Sequence, residues 1–215
     1  MSTFSIDLLK WWKCNGRSFP WRVEKDPYKL LIAEFLLHRT RAKNVVSVYS
    51  QFIEKFPTVK KLTESDPGEI ERMLHGIGLR WRVDGLLKTA NLIQSNFDGR
   101  IPMERKLLLS FPGIGDYIAS AVRVFSGGFD DPLIDTNTAR IISRIYDLKI
   151  RDSTRKSPKI RELYSILRDR AESSKFGFAL IDLGPIMCLP KEPRCIDCPV
   201  VRYCITGRRK VTKRS

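Results

Sequence analysis

With 215 residues, 42% of them hydrophobic, the chain is long enough to bury one generous core or two smaller ones. No stretch approaches the roughly 18 uninterrupted apolar residues of a membrane span, and the opening Met1–Asp7 lacks the pattern of a secretion signal, so an intracellular protein is expected. Lys and Arg number 39 against 24 Asp and Glu, and the net charge of +15 points to a polyanion, nucleic acid before a lipid surface because no basic amphipathic stretch is present.

Apolar residues recur at spacings of three and four, strand-like alternation is nearly absent, and an all-α chain is predicted. Ile6, Leu9 and Trp12 with Leu8 and Trp11 give an amphipathic helix ended by Asn15-Gly16, followed by the loop Gly16 to Arg22. Helices are predicted over residues 28–39, 42–56, 59–62, 67–74, 81–95 and 103–110, with Pro or Gly at nearly every junction. Further helices are predicted over 116–126 (ended by Gly127-Gly128), 137–146, 158–172 and 176–187. Arg208 to Arg214 reads as a mobile basic tail that adds nonspecific affinity.

Four motifs stand out along this helical frame. Glu34 lies in Leu30-Leu31-Ile32-Ala33-Glu34-Phe35-Leu36-Leu37, where Leu30, Leu31 and Leu37 share its face; burial there would raise its pKa, while a surface glutamate is the bland alternative. The turn Pro112-Gly113-Ile114-Gly115 joins two helices, and its backbone amides could form an anion nest for a phosphate. Asp135 precedes the Thr/Asn-rich opening of a helix, where the positive end of the dipole favours a carboxylate and where simple capping would also place it. Cys188, Cys195, Cys198 and Cys204 form C-x6-C-x2-C-x5-C, four of the five cysteines in the chain. One short pair flanked by single cysteines suits a [4Fe-4S] cluster, with a zinc loop or two disulfides as alternatives. Cys14, far from the quartet, reads as a small packed residue, and His38 and His75 have no metal-ligand spacing.

The hairpin Phe111 to Gly115, the run Ile134-Asp135-Thr136-Asn137-Thr138-Ala139-Arg140 and the cysteine loop, in that order and spacing, resemble the helix-hairpin-helix DNA glycosylases of the endonuclease III and adenine-glycosylase type. Phe19-Pro20-Trp21-Arg22, Asp26-Pro27-Tyr28 and residues 32–37 resemble the mismatch-directed branch, and Tyr117 with Leu37-His38-Arg39-Thr40-Arg41 resembles the archaeal thymine-mismatch group. The resemblance implies two helical domains: a six-helix barrel over residues 23–132, and a cluster-loop domain of 1–22 and 133–215, with the active site in the cleft between them.

It further implies that Asp135 stabilises an oxocarbenium-like sugar and orients water, that Glu34 meets the flipped base, and that Tyr117 faces the nucleotide where strand-cutting relatives carry a lysine. Arg39 would read the opposing guanine or contact a phosphate, and Leu79, beside Arg80, would wedge into the base stack. Pro112, Gly113, Ile114, Gly115, Lys191 and Arg194 would hold the backbone of the DNA. Set beside these motifs, the cysteine spacing favours [4Fe-4S] over zinc.

The expected function is a monomeric, monofunctional glycosylase that removes thymine or uracil opposite guanine from double-stranded DNA. Two alternatives stand beside it: an adenine glycosylase acting opposite oxidised guanine, whose additional C-terminal domain is not expected here, and a noncatalytic iron–sulfur DNA-binding module.

Overall fold

A computed structural model of the chain describes residues 2–38, 40–75 and 80–213, with the side chains of Arg80, Trp81, Arg82 and Asp152 outside that description. Every regular element among the described residues is helical. No helix among them is long and apolar enough to cross a membrane. The chain divides into two compact units, Met1–Arg17 with Asp130–Ser215, and Ser18–Phe129. The divisions fall a few residues earlier than expected at both crossings. At the first, Trp21 is the reason: it stacks on Phe19 at 5.0 Å, meets the edge of Tyr49 at 5.4 Å and belongs to the core of residues 18–129.

Helix α1 (Thr3–Asn15) starts where the Ser2 hydroxyl accepts from the Ser5 amide. It ends as Gly16 turns out of the helix and donates its own amide to the Trp12 carbonyl. Phe4, Ser5 and Leu8 are its buried stripe. The expectation that Cys14 is packed is wrong: one residue from the helix end, it is exposed.

The unit of residues 18–129 is built around α2 (Pro27–Leu37). Asp26 caps it by accepting from the Tyr28 and Lys29 amides, and Pro27 occupies the first turn, where a missing N–H costs nothing. Every residue from Leu30 to Leu36 is buried, so α2 is enclosed on all sides and amphipathicity gives no clue to it. Around it lie α3 (Ala42–Lys55), α4 (Val59–Thr63), α5 (Pro67–His75), α6 (Arg80–Phe97), α7 (Arg105–Ser110) and α8 (Asp116–Gly127). The Tyr28 hydroxyl donates to the Phe56 carbonyl at 2.7 Å, and Phe52 meets Phe56 edge-on at 4.9 Å, which fixes the end of α3 against the start of α2. Gly128, at φ +67, ends α8.

In the other unit follow α9 (Thr136–Ile145), α10 (Pro158–Arg168), α11 (Ser173–Ile186) and α12 (Ile205–Thr212). Two sequence expectations fail here for local reasons. Helix α10 stops at Arg168 instead of reaching 172 because Asp169 turns to φ +50, and the Asp169 amide closes back on the Ser165 carbonyl. The segment expected as a mobile tail is helix α12 over residues 205–212; the Cys204 sulfur caps its start, accepting from the Gly207 amide, and Arg209 pairs with Asp147 at 2.5 Å.

Helix α11 approaches its neighbour by doing without side chains. A Cβ at Gly177 would lie 2.2 Å from Leu133, and one at Gly184 would lie 2.5 Å from Asn137. Inside α11, Asp182 is fully buried. Its carboxylate accepts from the Trp12 indole at 3.0 Å, the Arg17 amide at 3.0 Å and the Arg17 guanidinium at 2.6 Å, a set of donors that ties the end of α1 to α11.

Candidate active site

Asp135 is the N-cap of α9. One carboxylate oxygen accepts from the Thr138 amide at 2.7 Å, and the other accepts from the Asn137 side-chain amide at 2.9 Å. With both oxygens accepting, the group bonds as a carboxylate, at the positive end of a helix dipole. It is half-buried, so the cap leaves it reachable. Capping and chemistry therefore coexist in one side chain.

The residues that orient Asp135 were not singled out in the sequence. Asn137 is held in turn by the guanidinium of Arg140, which donates to its carbonyl oxygen at 2.9 Å. Arg140 is itself buried and donates from Nε to the Cys188 carbonyl at 2.9 Å. The side chain of Asn137 lies against Gly184, so its position is fixed by packing as well as by hydrogen bonds. The available signal was spacing: Asn137, Arg140 and Arg144 fall three and four residues apart, on one face of α9.

In the unit of residues 18–129, Glu34 is 6% exposed, and the surface-glutamate alternative is excluded. It sits among Leu30, Leu31 and Phe35, all buried. Tyr117, in the first turn of α8, is half-buried and packs against the edge of the same apolar core. The carboxylate of its neighbour Asp116 is taken by Arg105 at 2.7 Å, and the same guanidinium donates to Ser120 at 2.9 Å, pinning the start of α8 to α7.

The hairpin between α7 and α8 shows why its two glycines differ. Gly113 adopts φ +80, and a Cβ there would meet the Phe35 ring at 2.9 Å, so conformation and space both require glycine. Gly115 is extended and has open space around it. The Ile114 amide closes the turn onto the Phe111 carbonyl, and the Pro112 carbonyl accepts from the Thr89 hydroxyl at 2.6 Å. Phe111 and Ile114 are buried, which leaves the turn backbone as the presented surface. Gly113 serves the turn, and Gly115 opens the start of α8. Arg39 and Leu79 lie outside the described residues, and of Arg80 only the backbone is described, at the start of α6.

Cys188, Cys195, Cys198 and Cys204 are all half-buried. The loop folds as tight turns: the Arg194 amide donates to the Met187 carbonyl, the Cys198 amide to the Cys195 carbonyl and the Cys204 amide to the Val201 carbonyl. Lys191 and Arg194 stand exposed on it. Burial pushes the Cys198 thiol up to about 12; the Val200 amide opposes this, while Cys188, Cys204 and Cys195 add to it. The four sulfurs are thus electrostatic neighbours. Yet no three His, Cys, Asp or Glu side chains among the described residues converge closely enough to hold a metal ion. The donor set of the loop is all sulfur.

The model of the HhH-GPD superfamily base excision DNA repair proteins matches residues 32–165. The chain is 33% identical over 206 residues to a thymine-DNA glycosylase of Aeropyrum pernix, an alignment that spans 92% of this chain and 91% of the relative. It is 32% identical to a thymine/uracil-DNA glycosylase of Pyrobaculum aerophilum, over 92% of this chain and 88% of the relative. Among solved structures, a thermostable thymine-DNA glycosylase superposes with a TM-score of 0.87 at 30% identity, covering 96% of this chain and 95% of that one.

Proposed function

Because the chain belongs to the HhH-GPD superfamily of base excision DNA repair proteins, we propose that it removes thymine or uracil opposite guanine and leaves an abasic site without cutting the strand. The observation that carries this reading is the likeness to thymine- and thymine/uracil-DNA glycosylases over nearly the whole chain. A mismatched pair costs less to open than a matched one, which supplies a first layer of selectivity.

Each residue then has a chemical task. The Asp135 carboxylate, held on both oxygens, stabilises positive charge on the sugar as the base leaves and orients the attacking water. Glu34, enclosed by apolar side chains, donates or accepts a hydrogen bond at the extruded base. Tyr117 faces the nucleotide with a phenol where a Schiff base would need a primary amine, and this supports hydrolysis without strand cleavage. The amides of the Pro112-Gly113-Ile114-Gly115 hairpin take a phosphate, and Lys191 and Arg194 take others. Arg39 reads the guanine left behind, and Leu79, with Arg80 beside it, fills the gap in the stack.

For Cys188, Cys195, Cys198 and Cys204 we propose a [4Fe-4S] cluster. An all-sulfur, half-buried set with one short pair flanked by single cysteines on unequal loops fits a multi-iron core better than the paired knuckles usual for structural zinc. When bound, the cluster supplies a fixed, charged crosslink for the C-terminal loop.

Purified protein is expected to release free base from a duplex with one G·T or G·U pair. Asp135→Asn should bind the same duplex and release base at least about 100-fold more slowly. Release of adenine opposite oxidised guanine with none from G·T or G·U would overturn the proposed substrate. Absence of release from every duplex would leave a noncatalytic DNA-binding module. Borohydride trapping of the wild type to DNA would refute the monofunctional assignment.

A further inference from the structure

The cysteine loop meets α9 through two arginines, and they hold it in different ways. In the loop Arg140 reaches main chain only, the carbonyl of Cys188, and it also donates to that of Gly184 in α11. Arg144 holds the carbonyls of Leu189 at 2.7 Å and Pro190 at 2.6 Å, and the same Nη1 also donates to the Cys188 sulfur at 3.2 Å. Two carbonyls would suffice to clamp the loop. The third contact brings a permanent positive charge onto a metal-ligand sulfur.

Arg144 also touches the last cysteine of the quartet, but in the opposite sense: the Cys204 thiol donates to the Arg144 carbonyl at 3.3 Å. Ligation removes a thiol proton, so that bond cannot survive cluster binding. The bond from Arg144 to Cys188 can, because there the sulfur accepts. Cys204 takes neutral backbone donors, the Gly207 amide at 3.2 Å and the Thr206 amide, whereas the donor on Cys188 is charged.

We propose that Arg144 tunes the reduction potential of the cluster while it seats the first ligand. The proposal rests on the [4Fe-4S] reading above. When the cluster takes one electron, its core gains a unit of negative charge, and a cation that donates to a ligand sulfur stabilises that state over the oxidised one. Hydrogen bonds to the sulfurs and the net local charge are established controls of such potentials. Arg144 therefore holds the potential above the value the four cysteines alone would set.

The test is voltammetry of the loaded protein without DNA, together with iron and sulfide content per chain. Arg144→Gln should load less completely, and its loaded fraction should reduce at a more negative potential than wild type. Arg144→Lys keeps a charge but cannot span two carbonyls and a sulfur; its potential should shift the same way by less. Should the glutamine variant fail to fold or load, the lysine variant decides: a wild-type potential there overturns the proposal. Lower loading with an unmoved potential in the glutamine variant also overturns it, since that is the signature of a carbonyl clamp alone. Wild-type protein purified without iron, sulfide or visible absorbance would refute the cluster reading itself, whatever the variants do.

Discussion

The two units are both helical and are held together by different physics. Residues 18–129 surround an enclosed apolar helix with aliphatic and aromatic side chains, and Glu34 is the one buried charged side chain among their described residues. The other unit buries Asp182 and Arg140 and gives both several partners. A buried charge has a different meaning in each. In the second unit it is a joint between helices; in the first it is a single carboxylate within an otherwise apolar core.

Asp182→Ala is the most direct way to break this comparison. Losing the carboxylate strands the Trp12 indole and the Arg17 donors, and unfolding in urea should show a loss of about 3–5 kcal/mol. A loss under about 1 kcal/mol would mean that the polar joint holds nothing. Next is Gly113→Ala, which adds a positive-φ penalty of about 1–2 kcal/mol to a clash with the Phe35 ring; thermal unfolding and DNA affinity should both fall. Gly184→Ala should cost about 1–3 kcal/mol by overpacking, and because Asn137 must move, single-turnover base release should slow by more than stability alone explains.

Glu34→Gln sharpens the contrast from the other side. Folding stability should change by less than about 1 kcal/mol, while base release under single-turnover conditions falls; a destabilisation as large as that of Asp182→Ala would make Glu34 a structural joint too. The smallest effect is expected from Gly115→Ala. Its stability should stay within about 0.5 kcal/mol of wild type, and weaker DNA binding, measured at fixed salt, would locate the phosphate at the open start of α8.

Punctuation made most of the fold legible: Asp26-Pro27, Asn15-Gly16 and Gly127-Gly128 mark helix ends by local chemistry that needs no tertiary partner. Asp135 was legible as a cap for the same reason, since a cap is written within a few residues. Asn137, Arg140, Arg144 and Asp182 were not. Arg140 and Arg144 find partners more than forty residues away and Asp182 finds them at 165 and 170, and helical spacing alone cannot tell a buried arginine from a solvated one. Helix α12 was misread because basic residues suggested a solvated tail, while its start depends on the Cys204 sulfur and its flank on Asp147. Helix α10 was overrun because nothing in the composition of residues 158–172 announces that Asp169 turns left-handed.

The partners of α1 carry a consequence for how the chain is assembled. Ser2 donates to the Leu167 carbonyl, Asp7 accepts from Arg202 and Tyr203, and Trp12 reaches Asp182, partners separated from it by 165 to 196 residues. Helix α1 is synthesised before these partners and is completed only after they have been made. Residues 18–129 emerge whole in the interval and can fold on their own contacts, while α1 waits with an apolar stripe uncovered. Closing that long loop carries an entropic cost that the contacts of α1 must offset.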